Sequence, residues 1–80
     1  MSIQKIQVLG TGCPKCQKLE ENARVAIAEL GLDVAVEKVT DIARIARMGV
    51  MMTPALAVDG AVRSAGHLLS VSQVKALLQG

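Results

Sequence analysis

Two cysteines stand two residues apart, after a stretch with the pattern of a β-strand and at the start of a stretch with the pattern of a helix. The motif is Cys13-Pro14-Lys15-Cys16. Pro14 suits the first helical position, because its fixed φ matches a helix and its missing N–H has no intrahelical partner there. Residues three apart on a helix are neighbours at about 5 to 6 Å, a separation that a disulfide can bridge. The two thiols are therefore predicted to lie together at the amino end of a helix.

Apolar periodicity along the chain predicts seven elements in the order β-α-β-α-β-β-α. The predicted strands cover residues 3–9, 32–39, 55–58 and 61–64. The predicted helices begin at Pro14, at Ile42 after an N-cap candidate in Thr40-Asp41, and after Ser70, and Gly31 and Gly49 end the first two. Asp59-Gly60 favours a type I′ hairpin turn, in which both central residues have positive φ. Ser70 and Gln73 fit a capping box, and right-handed crossovers would place the helices against a four-stranded mixed sheet.

The composition excludes several classes of function. The chain has 80 residues, of which 51% are hydrophobic and 20% charged, with a net charge of +2, which is typical of one small folded domain. It contains no Phe, Tyr or Trp, so an aromatic platform for nucleic-acid bases cannot form. No apolar run approaches the roughly 20 residues that span a bilayer, and the first residues lack a signal peptide's apolar stretch. We therefore expect a single cytoplasmic domain over residues 1–80, with no nucleic-acid or membrane partner.

The two cysteines are predicted to differ in reactivity. Cys13 precedes the first helical turn, where unpaired N–H groups and the positive end of the helix dipole favour a thiolate. The pKa of a cysteine falls from about 8.5 to roughly 3.5–7.5 at such positions. Lys15 adds positive charge nearby, whereas Cys16 lies one turn into the helix on its apolar face. Cys16 is therefore suited to attack a mixed disulfide after Cys13 has formed one.

The strand, the Cys-x-x-Cys motif at a helix start and a later Thr53-Pro54 at the entrance of a strand together resemble the thioredoxin fold. The chain is similar to small bacterial and archaeal thioredoxin-like or glutaredoxin-like redox-active disulfide proteins over nearly its whole length. The resemblance implies a thiol–disulfide oxidoreductase with no cofactor besides its own disulfide, in which Cys13 attacks and Cys16 resolves. It also implies that Pro54 is cis, and that Thr53 and Pro54 face the disulfide and bind substrate. The implied partners are a protein or small-molecule disulfide, which is reduced, and an electron-donating reductase.

Three features depart from the patterns of thioredoxins and glutaredoxins. Gly12 precedes Cys13, where thioredoxins have Trp. The first predicted strand has no Asp or Glu, so the buried carboxylate that thioredoxins use for proton transfer has no counterpart there. Lys15 stands where glutaredoxins have Tyr. We therefore expect partner recognition to differ, and we do not expect a glutathione site.

A soft-metal site is the main alternative for the same cysteines. Thiolates bind Cu(I) and Zn²⁺, and Thr11 followed by the Cys-x-x-Cys motif resembles the metal-binding loop of small heavy-metal-associated domains. Those domains have the order β-α-β-β-α-β, which differs from the order predicted here, and zinc would need a dimer to supply four thiolates. A binding adaptor without turnover is a third alternative. Met51 and Met52 are consistent with either a soft docking surface or core packing.

Overall fold

The computed structural model describes residues 3–79, and in this range the predicted order of elements is confirmed. The helices are α1 (Pro14–Leu30), α2 (Ile42–Arg47) and α3 (Val71–Gln79). The strands are β1 (Lys5–Leu9), β2 (Ala35–Val39), β3 (Ala55–Val58) and β4 (Ala61–Ala65). Residues 1, 2 and 80 of the expected domain lie outside the described range. None of the helices described here is long and apolar enough to cross a membrane.

Two strands begin later than the alternation of apolar residues predicted. The parallel pairing of β1 with β2 starts where Lys5 meets Ala35. Ile3, Leu32 and Val34 precede this pair and pack against the core as partly buried side chains. Apolar alternation therefore extends beyond the paired backbone, because a residue can contribute to the core without belonging to the sheet.

Two other boundaries differ by one residue. α2 ends at Arg47, because the N–H of Met48 closes the helix by donating to the carbonyls of Arg44 and Ile45 at 3.1 and 3.2 Å. β4 extends beyond residue 64, because residue 65 still pairs with the first residue of β3. Both differences concern the last residue of an element.

The sheet has the strand order β2-β1-β3-β4. β1 is parallel to β2 and antiparallel to β3, and β3 is antiparallel to β4. In the antiparallel pair, Leu9 at the carboxyl end of β1 lies opposite Ala55 at the amino end of β3. This register brings the loop after β1, which carries the cysteines, to the same edge as the Thr53-Pro54 segment that precedes β3.

Helices cover both faces of the sheet, because successive side chains of the central strands point to opposite sides. The larger cluster, in which α1 and α3 pack on the sheet, contains the buried residues Ile6, Val8, Leu19, Ala23, Ala26, Ile27, Leu56 and Val74. The smaller cluster, in which α2 takes part, contains Leu9, Val39, Ile45, Val50, Ala55 and Ala57. Both clusters are aliphatic, as a chain without aromatic residues requires.

The predicted end of α1 and the predicted starts of α2 and α3 are confirmed. Gly31 follows α1 in the left-handed region, at φ 69°. The Asp41 carboxylate accepts a hydrogen bond from the Ala43 N–H at 2.9 Å at the start of α2. In the capping box before α3, the Gln73 side chain accepts from the Ser70 N–H at 2.9 Å, and the Ser70 hydroxyl accepts from the Gln73 N–H at 3.2 Å.

The predicted hairpin turn is also confirmed, and it has a second role. Asp59 and Gly60 have φ values of 52° and 85°, as a type I′ turn requires. The Asp59 carboxylate also accepts hydrogen bonds from the N–H groups of Gln4 and Lys5, at 2.8 and 2.9 Å. The turn therefore holds the start of the central strand in place.

Candidate active site

Cys13 and Cys16 are joined by a disulfide at the amino end of α1. Cys13 is the N-cap of the helix, with extended backbone angles of φ −66° and ψ 161°. The Cα atoms of the two cysteines are 5.1 Å apart. The Cys16 N–H donates to the Cys13 sulfur at 3.2 Å, and the Gln17 N–H donates to the Cys13 carbonyl at 3.0 Å. The predicted placement of both cysteines at a helix start is therefore confirmed.

The two cysteines differ in their access to solvent. Cys16 is only 3% exposed and lies on the buried face of α1 with Leu19 and Ala23. Cys13 is half-buried, and the two residues between the cysteines are exposed. A molecule that approaches the disulfide from solvent therefore meets Cys13 first.

The charges around Cys13 favour an anion. The first turn of α1 contains no acidic residue, and its Lys15 is exposed, as is Lys18 one turn further on. The positive end of the helix dipole acts in the same direction, although the effect of exposed charges is screened by solvent and salt. A thiolate at Cys13 would be stabilised by these groups, whereas Cys16 lies inside the helix and away from solvent.

The Thr53–Pro54 peptide bond is cis, which confirms that prediction. Pro54 is buried, and its carbonyl accepts a hydrogen bond from the Gly66 N–H at 2.8 Å. Thr53 is exposed. The Cβ of Thr53 and the side chain of Cys16 both come within 4 Å of the point where a side chain on Gly10 would begin. The structure thus brings Thr53 and the cysteine pair together at one edge of the sheet.

A family model described as "Thioredoxin domain" matches residues 4–79. The chain belongs to the thioredoxin domain family. Its fold class and its activity as a thiol–disulfide oxidoreductase are therefore as predicted. The activity in general requires a disulfide substrate and an electron donor.

Two curated relatives of this thioredoxin-domain protein are both named thioredoxin. The thioredoxin of Methanothermobacter thermautotrophicus is 43% identical over 76 residues, which are 95% of this chain and 99% of the relative. The thioredoxin of Methanocaldococcus jannaschii is 43% identical over 70 residues, which are 88% of this chain and 80% of the relative. The similarity therefore extends over nearly the whole chain.

Gly10 is a site residue that sequence reasoning missed. It is buried, and its N–H donates to the Val39 carbonyl at 2.9 Å, which continues the pairing of β1 with β2. A Cβ at this position would overlap the Cys16 sulfur and come within 2.9 Å of the Cys16 Cβ. In the sequence, Gly10 has the pattern of a residue that ends a strand. The only indication that it contacts Cys16 is its position six residues before that cysteine.

A buried polar contact on the central strand was also missed. Gln7 is 3% exposed, and its amide donates to the Glu37 carboxylate at 2.7 Å. This hydrogen bond is the main reason that the pKa of Glu37 lies below its usual range, with smaller contributions from Arg44 and Lys5 and an opposing one from desolvation. β1 itself contains no carboxylate, as the sequence shows, and the carboxylate that bonds to it comes from β2.

An apolar cleft lies beside the cysteine loop. Its volume is about 210 Å³, and it is lined by Thr11, Ile42, Ile45, Ala46, Val50, Met51 and Thr53. Ile42 is 70% exposed and Met51 is 95% exposed. Met52 is exposed as well, so neither methionine fills the core. Of the two interpretations of these methionines, an exposed surface beside the active site is the one that fits the structure.

Within residues 3–79, no three or more His, Cys, Asp or Glu side chains are grouped as a metal site would require. Both named relatives are thioredoxins. No observation favours the soft-metal alternative.

Proposed function

We propose that Cys13 is the nucleophile and Cys16 the resolving cysteine of a cycle that reduces disulfides of proteins or small molecules. The observation that carries this assignment is the difference in access, since Cys13 is half-buried and Cys16 is 3% exposed within one disulfide. The helix dipole and Lys15 support it, because both stabilise a thiolate at Cys13. The attacking sulfur is thus the one that a substrate can reach.

The cycle has two exchange steps, each of which forms one sulfur–sulfur bond and breaks another. The Cys13 thiolate first attacks a sulfur of the substrate disulfide, which forms a mixed disulfide and releases the other substrate sulfur as a thiolate. Cys16 then loses its proton and attacks the Cys13 sulfur, which forms the Cys13–Cys16 disulfide and releases the second substrate thiolate. The substrate has gained two electrons, and the enzyme has lost two.

Thr53 and Pro54 are proposed to bind the substrate around the bond under attack. Thr53 is exposed, and its Cβ lies on the same side of Gly10 as the Cys16 sulfur. A polypeptide whose sulfur bonds to Cys13 would cover this segment and the apolar cleft beside it. Exposed Met51 suits such contact, because methionine is flexible and adapts to surfaces of different shape.

A reductase must return two electrons to the Cys13–Cys16 disulfide before the next turnover. The two sulfurs carry both electrons, so the cycle needs no bound cofactor. We place the protein in the cytoplasm, where dithiols are kept reduced, and we treat residues 1–80 as one domain.

Trapping the mixed disulfide tests the two assignments. With Cys16→Ser, a disulfide substrate such as oxidised insulin should stay bound to Cys13 and be detected by mass spectrometry as a covalent adduct that a reductant removes. With Cys13→Ser, adducts and turnover should both be lost. The control variant is Thr40→Ser, at an exposed position, and this variant should reduce the substrate disulfide at the normal rate. Full turnover by both cysteine variants, or adducts on Cys16 alone, would contradict the proposal.

Metal analysis tests the soft-metal alternative separately. The protein is purified under reducing conditions, its Cu and Zn contents are measured, and its thiols are titrated. We expect two reactive thiols and no stoichiometric metal. One bound metal ion for each chain or dimer, with unreactive thiols, would instead favour a metal-binding module.

A further inference from the structure

We infer that Gly10 is a positioning residue for the resolving thiol, because the side chain that it lacks leaves the space that the Cys16 sulfur occupies. This inference rests on the roles proposed for Cys13 and Cys16. A Cβ on residue 10 would overlap the Cys16 sulfur and come within 2.9 Å of the Cys16 Cβ. Separations below about 3 Å do not occur between such atoms, so one of the two residues would have to move.

The backbone of Gly10 is held in place from both sides. Its N–H donates to the Val39 carbonyl at 2.9 Å. The preceding residue, Leu9, is paired with Val39 on one side and Ala55 on the other and is fully buried. Gly10 therefore cannot move away from α1 without breaking the end of the central strand.

The helix is held in place as well. Leu19 and Ala23 lie on the same face of α1 as Cys16, and both are fully buried against the sheet. The Cys16 N–H is bonded to the Cys13 sulfur at 3.2 Å. Since neither backbone can retreat far, a Cβ on residue 10 would displace the sulfur by rotation of the Cys16 side chain, and the contact with the Cys16 Cβ, which this rotation does not move, would be relieved by a small shift of α1. A helix allows few χ1 rotamers, so this rotation would carry the sulfur out of bonding position.

The displaced sulfur affects one step of the cycle more than the other. In the second exchange, Cys16 attacks the Cys13 sulfur, a new Cys13–Cys16 bond forms, and the bond from Cys13 to the substrate sulfur breaks. This step needs the Cys16 sulfur next to Cys13. The first exchange needs only the Cys13 thiolate and the substrate. Gly10 thus acts on resolution and on the stability of the disulfide, with little effect on the first attack.

The test is Gly10→Ala. The ratio of disulfide to dithiol is measured at equilibrium in dithiothreitol buffers, and the equilibrium constant for disulfide formation should fall at least tenfold, which is a rise in reduction potential of about 30 mV. Mixed disulfide with substrate should also accumulate during turnover. In a Cys16→Ser background, the rate at which Cys13 attacks the substrate should stay within twofold of its value with Gly10.

Gly31→Ala is the matched control. Gly31 also lies at an element end, with φ +69°, and a Cβ there has no atom within 4 Å. This substitution lowers stability through the backbone alone, far from the cysteines at the other end of α1, and the reduction potential should not change. An unchanged potential in Gly10→Ala, or an equal shift in Gly31→Ala, would overturn the inference.

A second variant covers the case in which Gly10→Ala does not fold. Cys16→Gly removes the two atoms that would lie within 3 Å of the new Cβ, so adding Gly10→Ala to Cys16→Gly should cost far less stability than adding it to the wild type. An equal cost in both backgrounds would overturn the inference. The trapping experiment with Cys16→Ser uses the natural Gly10, so it tests the proposed function independently of this result.

Discussion

At the scale of single residues, Cys13 and Cys16 carry the same group in different surroundings. Cys13 is the half-buried N-cap of α1, and Cys16 is buried one turn later. The N–H groups of the first turn point toward Cys13, which places the positive end of the helix beside its sulfur. The difference therefore comes from where the helix begins, and Pro14 at the first helical position favours this start.

The reduced protein should show this difference in its alkylation rates. Cys13 should react with iodoacetamide at a rate that rises with pH through a midpoint below the value of about 8.5 for free cysteine. At pH 7, Cys13 should react at least tenfold faster than Cys16, because it is both more ionised and more accessible. Peptide mass spectrometry after timed quenching measures both rates. In urea the two rates should converge, and equal rates in the native protein would contradict the prediction.

At the scale of elements, β1 and β2 are joined by side chains as well as by backbone. Gln7 and Glu37 are directly paired in the parallel register, and their side chains meet at 2.7 Å. Arg44 of α2 also approaches the Glu37 carboxylate, at 3.5 Å. The contact therefore links the central strand, an edge strand and the short helix that lines the apolar cleft.

Gln7→Leu should change how stability depends on pH. The pKa of Glu37 is lowered from 4.5, chiefly by the Gln7 amide. The ionised carboxylate therefore contributes stability at pH values above 4.5, and this contribution is lost as the pH falls through the lowered pKa. Without the amide the pKa of Glu37 should rise toward 4.5, and the variant should lose less stability on acidification below pH 4.5. NMR titration of the Glu37 carboxyl and urea unfolding at several pH values measure both effects. An unchanged Glu37 midpoint would contradict the assignment of the Gln7 amide as the main cause.

The first turn of α2 is expected to contribute to polypeptide recognition. Ile42 lines the apolar cleft and is 70% exposed, so Ile42→Ser should not disturb the core. If a substrate side chain buries this surface, Ile42→Ser should weaken the binding free energy by about 1 kcal/mol, which is about fivefold in affinity. The ratio of kcat/KM for a protein disulfide to kcat/KM for a small disulfide should fall by this factor. Val25→Ser, on an exposed part of α1 about 18 Å along the helix from Cys13, is the control. An equal fall in both variants would count against the cleft.

At the scale of the whole molecule, local features of the fold could be predicted from the residues themselves, and contacts between distant segments could not. The hairpin at Asp59-Gly60 and the capping box at Ser70 depend on a few adjacent residues, so the sequence contains all the information needed. The meeting of Gly10 with Cys16 depends on how a helix lies across a sheet. The burial of Gln7 depends on β2, thirty residues further along the chain. The cysteine pair was predictable because the motif and the helix start are adjacent.

The pairing of Leu9 with Ala55 shows why the site needs the complete sheet. This register places the cysteine loop and the Thr53-Pro54 segment at one edge, although forty residues separate them in sequence. Neither segment contains a sequence pattern that indicates its proximity to the other. At the level of the sequence, only the resemblance to a known family links them, and the antiparallel pairing gives the physical reason for their proximity.

An aliphatic core must hold this arrangement together, and Leu19 is central to it. Leu19 is fully buried, one turn after Cys16 on the face of α1 that packs on the sheet. Leu19→Ala should lower the free energy of unfolding by about 2 to 5 kcal/mol. That is a large share of the total, because a domain of this size has about 4 to 12 kcal/mol at roughly 0.05 to 0.15 per residue. Where the loss falls within this range depends on how far the neighbouring aliphatic side chains move into the cavity.

Urea unfolding followed by circular dichroism measures this loss, with Leu68→Ala as the matched control. Leu68 is 41% exposed, so its truncation should change the free energy of unfolding by no more than about 0.5 kcal/mol. The slope of the unfolding free energy against urea should stay the same in both variants, because the surface exposed on unfolding is nearly the same. If the two truncations shifted the midpoint equally, α1 would not be anchored through Leu19. The position of Cys16 against Gly10 would then need another support.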